Sequence, residues 1–458
     1  MTVRKLSELR RGVDGAVIAP GDLGYDEVRR VWNAEVDRRP LFVARPNTAV
    51  DVRSVVEFSA RRGIPLAVRG GGHSHAGFGT ADGAAVLDLR SLGGVRVDPV
   101  KRELVTGGGA LWGPVDAATQ LHHLGVTGAD APQVGVGGVL LGGGFGWLHR
   151  LTGLTCDSLL EADVVTANGD LVTASPEREP ALFWALRGGG GNFGVVTRMG
   201  FRLHPVRELV GGTLLYPLGR GRSVLMRYQE LCDSAPDELA LRVTLMTAPK
   251  AGHIPAELRG KPAISVGMAA FGPPGKLETV KRGFRPCGPA AVDTVRPLTY
   301  AQLQQPVYGK PDRLRADGHS SFFARLDEQT IDAFLDLAER FPSPQTMLQV
   351  QHLGGAISRL GAADTAFSFR HATHLVACNV LAVRDATSVP LRSWTMTAAK
   401  AIRRHELGGP YVNFVNGGEP AKELHAAYSP VTYRRLAQVK AEYDPDNLFR
   451  FNVNIGTT

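Results

Sequence analysis

Three glycines followed by a histidine form the stretch of this sequence with the most chemistry to offer. Residues 69–77 read Arg-Gly-Gly-Gly-His-Ser-His-Ala-Gly. Glycines let a backbone approach a phosphate or a flat ring closely, because they carry no Cβ. A histidine at the exit of such a loop can be a ligand, a base or a site of covalent attachment. The local sequence leaves all three roles open for His73.

Two short apolar runs and a helix are predicted to position this loop. Residues 41–45 and 65–69 each predict a buried strand, and the second one leads into the glycines. Between them, Thr48 and Asp51 have the spacing of a capping box at the start of a helix, and Gly63 is a natural stop. The sequence therefore predicts a strand, a helix and a strand that ends at the glycine loop.

Glycines recur in three further clusters, at 107–109, 135–146 and 187–194. The last cluster contains Gly189-Gly-Gly-Asn-Phe-Gly194, which has the spacing of a dinucleotide-binding fingerprint. That fingerprint needs a strand before the glycines and a helix after them. Here a helix is predicted before the glycines and a strand after them, which disfavours a nicotinamide-binding Rossmann domain. The clusters instead predict loops whose backbone amides cradle a pyrophosphate.

The composition limits the class of protein. The chain has 458 residues, 55 of them glycine, with 43% hydrophobic and 21% charged residues, as expected for a globular protein with a sizeable core. Its formal charge of +8 comes from scattered Lys and Arg, without the basic stripe that nucleic-acid binding needs. The four cysteines are far apart, which argues against a zinc site or a disulfide framework. Neither a signal peptide nor a membrane-spanning run is evident, so we expect a cytoplasmic protein, monomeric or homodimeric, with no membrane or nucleic-acid partner.

After residue 206 the glycine clusters stop, and alternating strands are mixed with amphipathic helices. This pattern predicts a second domain of the α+β class, with an antiparallel sheet covered by helices. We expect an N-terminal segment at 1–35, a glycine-rich domain at 36–206, this α+β domain at 207–405 and a C-terminal segment at 406–458. Within the first of these, residues 26–33 predict a helix. Within the last, Tyr411 begins a short predicted strand.

Four stretches in a fixed order resemble a known family, at residues 69–74, 134–146, 182–196 and 443–450. The set is similar to that of the berberine bridge enzyme-like FAD-linked oxidases of the vanillyl-alcohol-oxidase superfamily. It is most similar to bacterial members of the 6-hydroxynicotine oxidase and antibiotic-tailoring kind. The likeness extends from residue 36 to residue 455, and it implies a two-domain PCMH-type FAD-binding fold.

The resemblance implies a role for each matching residue. His73 matches the histidine that bonds covalently to the 8α-methyl group of the flavin, and Tyr411 matches a tyrosine that faces the flavin. The residues that the resemblance places at the cofactor are Arg69, Gly70, Gly71, Gly72, His73, Ser74, Gly77, Val134, Gly137, Gly138, Gly142, Gly143, Gly146, Val195, Val196, Asn452 and Asn454. No metal site is implied.

Several positions depart from the family pattern. Many members carry a second tether, a cysteine before the second glycine loop, where this chain has Ala131. His75 stands where a tyrosine is often found, and the strand around 376–379 lacks the carboxylate that some members use as a base. FAD is therefore expected to be attached through His73 alone. Cys156 is expected to be a core residue rather than a tether.

The expected reaction takes a hydride and a proton from a small organic substrate, which is an alcohol, an amine or a secondary-metabolite intermediate. The hydride goes to flavin N5, and a base takes the proton. Tyr411 is the first candidate base, although a phenol with an ordinary pKa of ~10 needs a nearby cation for this task, or acts instead as a hydrogen-bond orienter. His75 is a second candidate base, or a polar neighbour of the flavin. Both residues also fit a purely structural role.

Val134 occupies a position that is proposed in the family to gate oxygen. A small valine there favours O2 as the electron acceptor and H2O2 as a product, so the resemblance implies an oxidase. Two alternatives stay open at this point. One is a dehydrogenase that uses another acceptor, and the other is a protein that binds flavin and a metabolite without turning the metabolite over.

Overall fold

A computed structural model of the chain describes residues 3–272, 275–305, 313–403 and 406–456. The helices are α1 Val3–Arg11, α2 Tyr25–Val28, α3 Ala49–Ala60, α4 Trp112–Gln120, α5 Val136–Leu141, α6 His149–Thr152, α7 Pro180–Leu186, α8 Gly221–Asp233, α9 Gly275–Gly283, α10 Tyr300–Leu303, α11 Glu328–Ala338, α12 Leu391–Ile402, α13 Ala421–His425 and α14 Pro430–Tyr443. The strands are β1 Ala16–Ile18, β2 Phe42–Arg45, β3 Leu66–Arg69, β4 Ala85–Asp88, β5 Val95–Asp98, β6 Glu103–Gly107, β7 Leu124–Gly125, β8 Leu159–Val165, β9 Leu171–Ala174, β10 Val195–Arg202, β11 His204–Pro205, β12 Leu209–Pro217, β13 Leu239–Thr247, β14 Pro262–Phe271, β15 Val292–Asp293, β16 Arg296–Pro297, β17 Leu314–Phe323, β18 Met347–His352 and β19 His374–Val383.

The first sheet, with the order β1-β2-β4-β3, carries the first glycine loop at the end of β3. Strands β2 and β3 both run parallel to β4, and helix α3 connects them. Thr48 Oγ1 accepts a hydrogen bond from Asp51 N at 3.1 Å, and Thr48 N donates to the Asp51 carboxylate at 3.0 Å. The predicted capping box is therefore confirmed, as are the strand, the helix and the strand that lead to the loop.

The second sheet, with the order β5-β6-β10-β8-β9, is antiparallel and carries the third glycine loop. Helix α7 ends at Leu186 and strand β10 begins at Val195, so this loop runs from a helix into a strand. This order is the reverse of the one in a Rossmann fingerprint, as the sequence predicted.

The third sheet is eight-stranded and antiparallel, with the order β15-β12-β14-β13-β18-β19-β17 and with β16 also paired to β12. Helices α8, α11 and α12 pack on one face, where Val224, Phe334 and Ala398 are fully buried. The other face turns toward the glycine loops. The predicted antiparallel sheet covered by helices is confirmed.

The helix predicted at residues 26–33 is shorter in the structure, where α2 covers only Tyr25–Val28. The reason lies in tertiary contacts. Trp32 N donates to the carbonyl of Gly72 in the first glycine loop at 3.0 Å, and Ala34 N donates to the carbonyl of Leu314 in β17 at 2.7 Å. These donors are satisfied outside the helix, so the helical pattern in residues 26–33 does not extend past the first turn.

All four cysteines are buried and free of disulfide bonds, and Cys156 lies in the core as predicted. Among the described residues, no helix combines the length and the apolar character needed to cross a bilayer. The same part of the chain shows no cluster of His, Cys, Asp or Glu arranged to hold a metal ion.

Asp116 in α4 is expected to make folding depend on pH. Its side chain is buried, its described hydrogen bond is a long one of 3.5 Å from Gln304 Nε2, and burial raises its pKa to about 8. In the unfolded chain the same carboxyl loses its proton near pH ~4, so the contribution of Asp116 to stability is full below that pH and falls as the pH rises toward 8. The Asp116→Asn variant should therefore gain stability relative to wild type over this range, as measured by urea unfolding. The exposed Asp170→Asn variant should show no such trend.

Candidate active site

A cavity of about 480 Å³ lies between the glycine loops and the third sheet. The loops form one wall, and strands β13 and β18 contribute to the other. The predicted site residues that border it are Arg69, Gly70, Gly71, Gly72, His73, Ser74, His75, Val134, Gly137, Gly138, Gly142, Val196, Tyr411 and Asn452. Residues from widely separated parts of the sequence thus meet at one place.

Five residues that were expected at the cofactor lie outside this cavity wall. An added Cβ at Gly77, Gly143 or Gly146 would come within 2.6, 2.9 and 2.0 Å of a packed neighbour, so these glycines serve close packing within the fold. Val195 is buried in the core beside the first sheet. Asn454 binds His425 through its backbone carbonyl. These residues share motifs with the cavity residues, but the chain turns them in other directions.

Arg69 borders the cavity but directs its guanidinium elsewhere. It is buried, forms an ion pair with Asp88 at 3.0 Å and donates to the carbonyl of Val28 at 2.6 Å. Burial holds the pKa of Arg69 below its usual value, although the carboxylate of Asp88 opposes this effect. The guanidinium of Arg69 therefore stabilises the base of the first glycine loop through these two contacts.

The first and second glycine loops cross backbone to backbone. A Cβ placed on Gly71 would fall 2.4 Å from the amide nitrogen of Gly135, and a Cβ on Gly135 would fall 2.4 Å from the amide nitrogen of Gly71. Real Cβ atoms do not approach backbone atoms this closely, so both positions need glycine. Both glycines of the crossing border the cavity.

We expect the Gly71→Ala variant to lose bound flavin and to be destabilised by about 1–3 kcal/mol, the usual cost of forcing an extra methyl group into a packed site. The backbone of one loop must shift to admit the methyl group. Flavin content per chain and urea unfolding measure the two effects. Gly94→Ala is the matched control, since a Cβ there meets nothing within 4 Å. Flavin content equal to that of the control would contradict the prediction.

His73 leaves the first loop and stands in the cavity wall. Its imidazole is stacked on the indole of Trp32, with ring centroids 5.6 Å apart and planes at 26°. Burial, together with the neighbouring His75, lowers the pKa of His73 to about 4. At neutral pH the ring is therefore uncharged and keeps the nitrogen lone pair that a nucleophile or a ligand needs.

The imidazole of His75 stacks on two aromatic side chains, Trp32 and Phe414. Its ring lies 5.5 Å from that of Trp32 and 6.3 Å from that of Phe414, nearly parallel to both. Burial lowers the pKa of His75 to about 4. Its Nδ1 is buried and has no hydrogen-bond partner among the described residues. His75 is therefore a neutral polar group at the cavity with one open hydrogen-bonding position, and a weak base.

Tyr411 lies at the cavity in a 3-10 turn at Val412–Phe414, where the sequence predicted a short strand. The strand does not form, because Tyr411 N donates to the hydroxyl of Ser320 at 3.1 Å and Phe414 N donates back to the carbonyl of Tyr411 at 2.8 Å. This turn points the phenol ring toward the second glycine loop.

The hydroxyl of Tyr411 accepts two hydrogen bonds, from Gly144 N at 3.1 Å and from Asn413 Nδ2 at 2.8 Å. Its ring meets those of Phe145 and Phe414 edge-on, with centroids 4.9 and 5.0 Å away. Burial raises the pKa of Tyr411 well above its usual range. The phenol is therefore protonated at neutral pH, and both described hydrogen bonds leave its own hydrogen unused.

Asp130 and Arg242 form an ion pair across the cavity. Arg242 lies on β13, and its guanidinium packs 4.4 Å from the ring centroid of Trp147. Trp147 has room there because its neighbour Gly267 on β14 lacks a Cβ, which would fall 3.0 Å from the indole. The Arg242 side chain is 11% exposed and that of Asp130 is 41% exposed. The carboxylate is thus the member of the pair that the cavity presents.

Gln351 stands beside Arg242 in the register between β18 and β13. His149 Nε2 donates to the carbonyl of His352 at 2.7 Å, which places the imidazole hydrogen on Nε2. Burial lowers the pKa of His149 to about 4, so its Nδ1 is bare and accepts from Gln351 Nε2 at 3.3 Å. The side-chain NH2 group of Gln351 is thus bonded to His149. The side-chain carbonyl oxygen of Gln351 remains available to accept a hydrogen bond in the cavity.

Two family profiles match the chain. One, described as an FAD binding domain, covers residues 40–175, and the other, described as berberine and berberine like, covers residues 410–456. The chain is also 29% identical over 465 residues to (R)-6-hydroxynicotine oxidase of Paenarthrobacter nicotinovorans, with 97% of each chain covered. The chain is an FAD-linked oxidoreductase that carries an FAD-binding domain and a berberine-like domain.

Two further comparisons agree with this assignment. The oxidoreductase is 28% identical over 459 residues to an FAD-linked oxidoreductase of Dictyostelium discoideum, with 98% of this chain and 96% of the other covered. Its fold matches the crystal structure of 6-hydroxy-D-nicotine oxidase from Arthrobacter nicotinovorans with a TM-score of 0.86 and 27% identity, covering 97% of this chain and 98% of the other. The predicted family and fold class are confirmed.

The cavity of the oxidoreductase fits FAD. Three residues of its wall each have a buried polar atom without a hydrogen-bond partner in the described structure: His75 Nδ1, Gln133 Oε1 and Asn452 Oδ1. Such atoms are costly unless a bound group satisfies them. A flavin nucleotide carries many polar atoms, and the glycine loops leave room for it to lie against the backbone. These unpartnered polar atoms and the glycine crossing are thus consistent with the FAD that the FAD-binding domain profile implies.

Part of the wall could not be read from the sequence. Asp130 and Phe414 lie close to motif residues in the sequence, and this proximity could have indicated that they belong to the site. Arg242 and Gln351 lie on strands without a local motif, and only the register of β13 and β18 brings them to the cavity. Trp32 lies outside both matched ranges.

Proposed function

We propose that the oxidoreductase is an oxidase that removes a hydride and a proton from a small organic substrate, which is an alcohol, an amine or a secondary-metabolite intermediate. Bound FAD would accept the hydride at N5 and pass the electrons to O2, giving H2O2. The observation that carries the proposal is one cavity that joins glycine loops, a neutral His73 and a polar sheet face. Residues 36–206 and 406–458 would hold the cofactor, and residues 207–405 would form the substrate domain.

His73 is proposed to tether the cofactor. A ring nitrogen of His73 would bond to the 8α carbon of FAD. One methyl hydrogen and the imidazole N–H hydrogen would leave as protons, and the two electrons would reduce O2 to H2O2. The low pKa of His73 supports this role, because only an unprotonated nitrogen has a lone pair for the bond. Ala131 borders the same cavity and carries no sulfur, so a second, cysteinyl bond is not proposed.

Tyr411 is proposed to orient the substrate rather than to act as the base. A phenol with a raised pKa keeps its hydrogen at neutral pH, and the two bonds that it accepts leave that hydrogen for a ligand. His75 is proposed to be a polar neighbour of the flavin, since its low pKa makes it a weak base. A site without a strong base suits a neutral amine, which can give up a hydride directly.

An anaerobic titration followed by exposure to air tests the proposed reaction. A substrate should bleach the yellow protein, and air should restore the colour with one H2O2 formed per substrate oxidised. Val134 in the cavity wall favours rapid reoxidation, as in the sequence-based expectation. Reoxidation no faster than that of free flavin would favour the dehydrogenase alternative. Binding without bleaching would favour the non-catalytic alternative.

The Asp130 carboxylate and the carbonyl oxygen of Gln351 are proposed to hold a hydrogen-bond donor of the substrate, such as a hydroxyl or an amine. Both groups are acceptors next to Arg242, since Asp130 is its ion-pair partner and Gln351 is its neighbour in the register of β13 and β18. Arg242 keeps the pKa of Asp130 below its usual value, so the carboxylate is charged at neutral pH. The aromatic rings of Phe145, Tyr411 and Phe414 offer the substrate an apolar surface in the same cavity.

We expect Asp130→Asn to raise KM about tenfold or more for any compound that bleaches the flavin, because a hydrogen bond to a charged group contributes about 1.5–3 kcal/mol. The single variant also leaves the buried Arg242 unpaired, which lowers stability. The double variant Asp130→Asn/Arg242→Gln removes that second effect and should regain stability without regaining KM. Steady-state kinetics and thermal unfolding measure the two quantities. A KM unchanged in the single variant would remove Asp130 from the substrate site.

We also propose that the protein acts in the cytoplasm as a monomer or a homodimer, without a nucleic-acid or membrane partner. The four reduced, buried cysteines support the location. Sedimentation of the purified holoenzyme measures the oligomeric state.

A further inference from the structure

The N-terminal segment at residues 28–35, which we name the N-terminal clasp, lies between the first glycine loop and the third sheet. Its backbone bonds to both sides. Trp32 N donates to Gly72 O at 3.0 Å on the loop side, and Ala34 N donates to Leu314 O at 2.7 Å on the sheet side. The clasp therefore spans the two walls of the cavity beside His73.

Asn33 fixes the clasp in this position. Its Nδ2 donates to the carbonyl of His75 at 2.7 Å and to the carbonyl of Ala316 at 3.0 Å. Its Oδ1 accepts from the amides of Ala316 at 3.1 Å and Glu35 at 3.0 Å. With every polar atom of a buried amide satisfied, the side chain acts as a rigid bridge between the glycine loop and β17.

Trp32 occupies the centre of the clasp and faces the two histidines of the loop. Its indole is within 26° of parallel to the imidazole of His73 and within 19° of parallel to that of His75, at centroid distances of 5.6 and 5.5 Å. An offset stack of this kind restricts the rotation of an imidazole without adding a hydrogen bond or a charge to it. The stack therefore sets the plane of the His73 ring without using its nitrogens, which have no hydrogen-bond partner among the described residues.

We propose that Trp32 is the positioning residue that sets the His73 imidazole for attachment to FAD. This inference rests on the proposed tether at His73. The geometry supplies what the attachment requires: the ring is held in one plane by an aromatic surface, and no described residue forms a hydrogen bond to a nitrogen that must make the new bond. The backbone of the same residue anchors Gly72, so Trp32 couples the placement of the ring to the placement of the loop.

Two variants separate the effect of the aromatic face of Trp32 from the effect of its volume. Trp32→Phe keeps an aromatic face, and Trp32→Leu keeps only apolar volume. Trp394→Leu is the matched control, because Trp394 is a half-buried indole that packs on Phe341, away from the cavity. For each purified holoprotein, total bound flavin is measured after ultrafiltration, and covalently bound flavin is measured in the acid precipitate. Thermal unfolding confirms that the variants are folded.

The acid-stable share of flavin should fall about fivefold or more in Trp32→Leu, as the loss of an aromatic stack predicts, while total bound flavin stays near that of wild type. Trp32→Phe should keep most of the acid-stable share, and Trp394→Leu should match wild type. An unchanged share in Trp32→Leu, an equal fall in Trp32→Leu and Trp32→Phe, or a loss of all flavin from Trp32→Leu would each overturn the positioning role. Release of all flavin from wild type would instead overturn the tether itself, and the role of Trp32 with it.

Discussion

Replacing His73 by alanine is expected to yield a protein from which acid releases all of the flavin, whereas wild type keeps about one flavin per chain in the acid precipitate. The imidazole of His73 is the histidine ring that the first glycine loop delivers to the cavity wall directly after its glycines. Alanine offers no nucleophilic nitrogen, and Ala131 offers no sulfur in its place. Absorbance and mass spectrometry of the precipitated chain measure the covalent flavin.

The effect of His73→Ala should be confined to attachment. The fold around the loop depends on the Arg69–Asp88 ion pair and the Gly71–Gly135 crossing, which the substitution leaves in place, so noncovalent FAD should still bind. The control is His122→Ala, which removes an exposed imidazole outside the cavity. Covalent flavin that persisted in His73→Ala would show that another residue carries the bond.

Lys440 is expected to contribute most to stability among single charged side chains of the C-terminal segment. In α14 its ammonium bonds to Asp444 at 2.5 Å, and both side chains are 0% exposed. The ammonium also donates to the carbonyls of Asn192 at 2.9 Å and Phe449 at 3.2 Å. The pair therefore ties the third glycine loop to the chain that leads to Asn452 at the cavity.

Lys440→Met should lower the free energy of unfolding by about 3–5 kcal/mol, because it leaves the carboxylate of Asp444 buried without its cation. Flavin retention should weaken as well, since the third loop loses its anchor at Asn192. Denaturant unfolding and flavin content measure these effects. Arg434→Ala on the exposed side of the same helix should change stability by no more than about 0.5 kcal/mol. The double variant Lys440→Met/Asp444→Asn should recover part of the loss, and a larger loss than in the single variant would contradict this account.

The local sequence was enough to predict elements whose partners are close along the chain. The capping box of α3 pairs residues only three apart, and the order of helix, glycines and strand at the third loop can be seen without any tertiary contact. The glycine loops were also recognisable, because a close backbone approach such as that of Gly71 to Gly135 leaves glycine as the residue that fits. The family resemblance added the cofactor and the expectation for His73.

The same local patterns failed where a distant group took a backbone donor. The helix expected at 26–33 stops at Val28, since the amide of Trp32 bonds to the glycine loop instead. The strand expected from Tyr411 is a turn, since its amide bonds to the side chain of Ser320. Propensity decides an element only when nothing in the tertiary structure competes for its hydrogen bonds.

Residue types and their periodicity were enough to predict the glycine loops, the histidine at the exit of the first loop and the antiparallel second domain. The surroundings of that histidine depend instead on tertiary contacts. The stack on Trp32, the ion pair of Asp130 with Arg242 and the carbonyl of Gln351 come from segments far apart along the chain. Sheet register and side-chain packing bring them together, and neither is encoded in any local stretch.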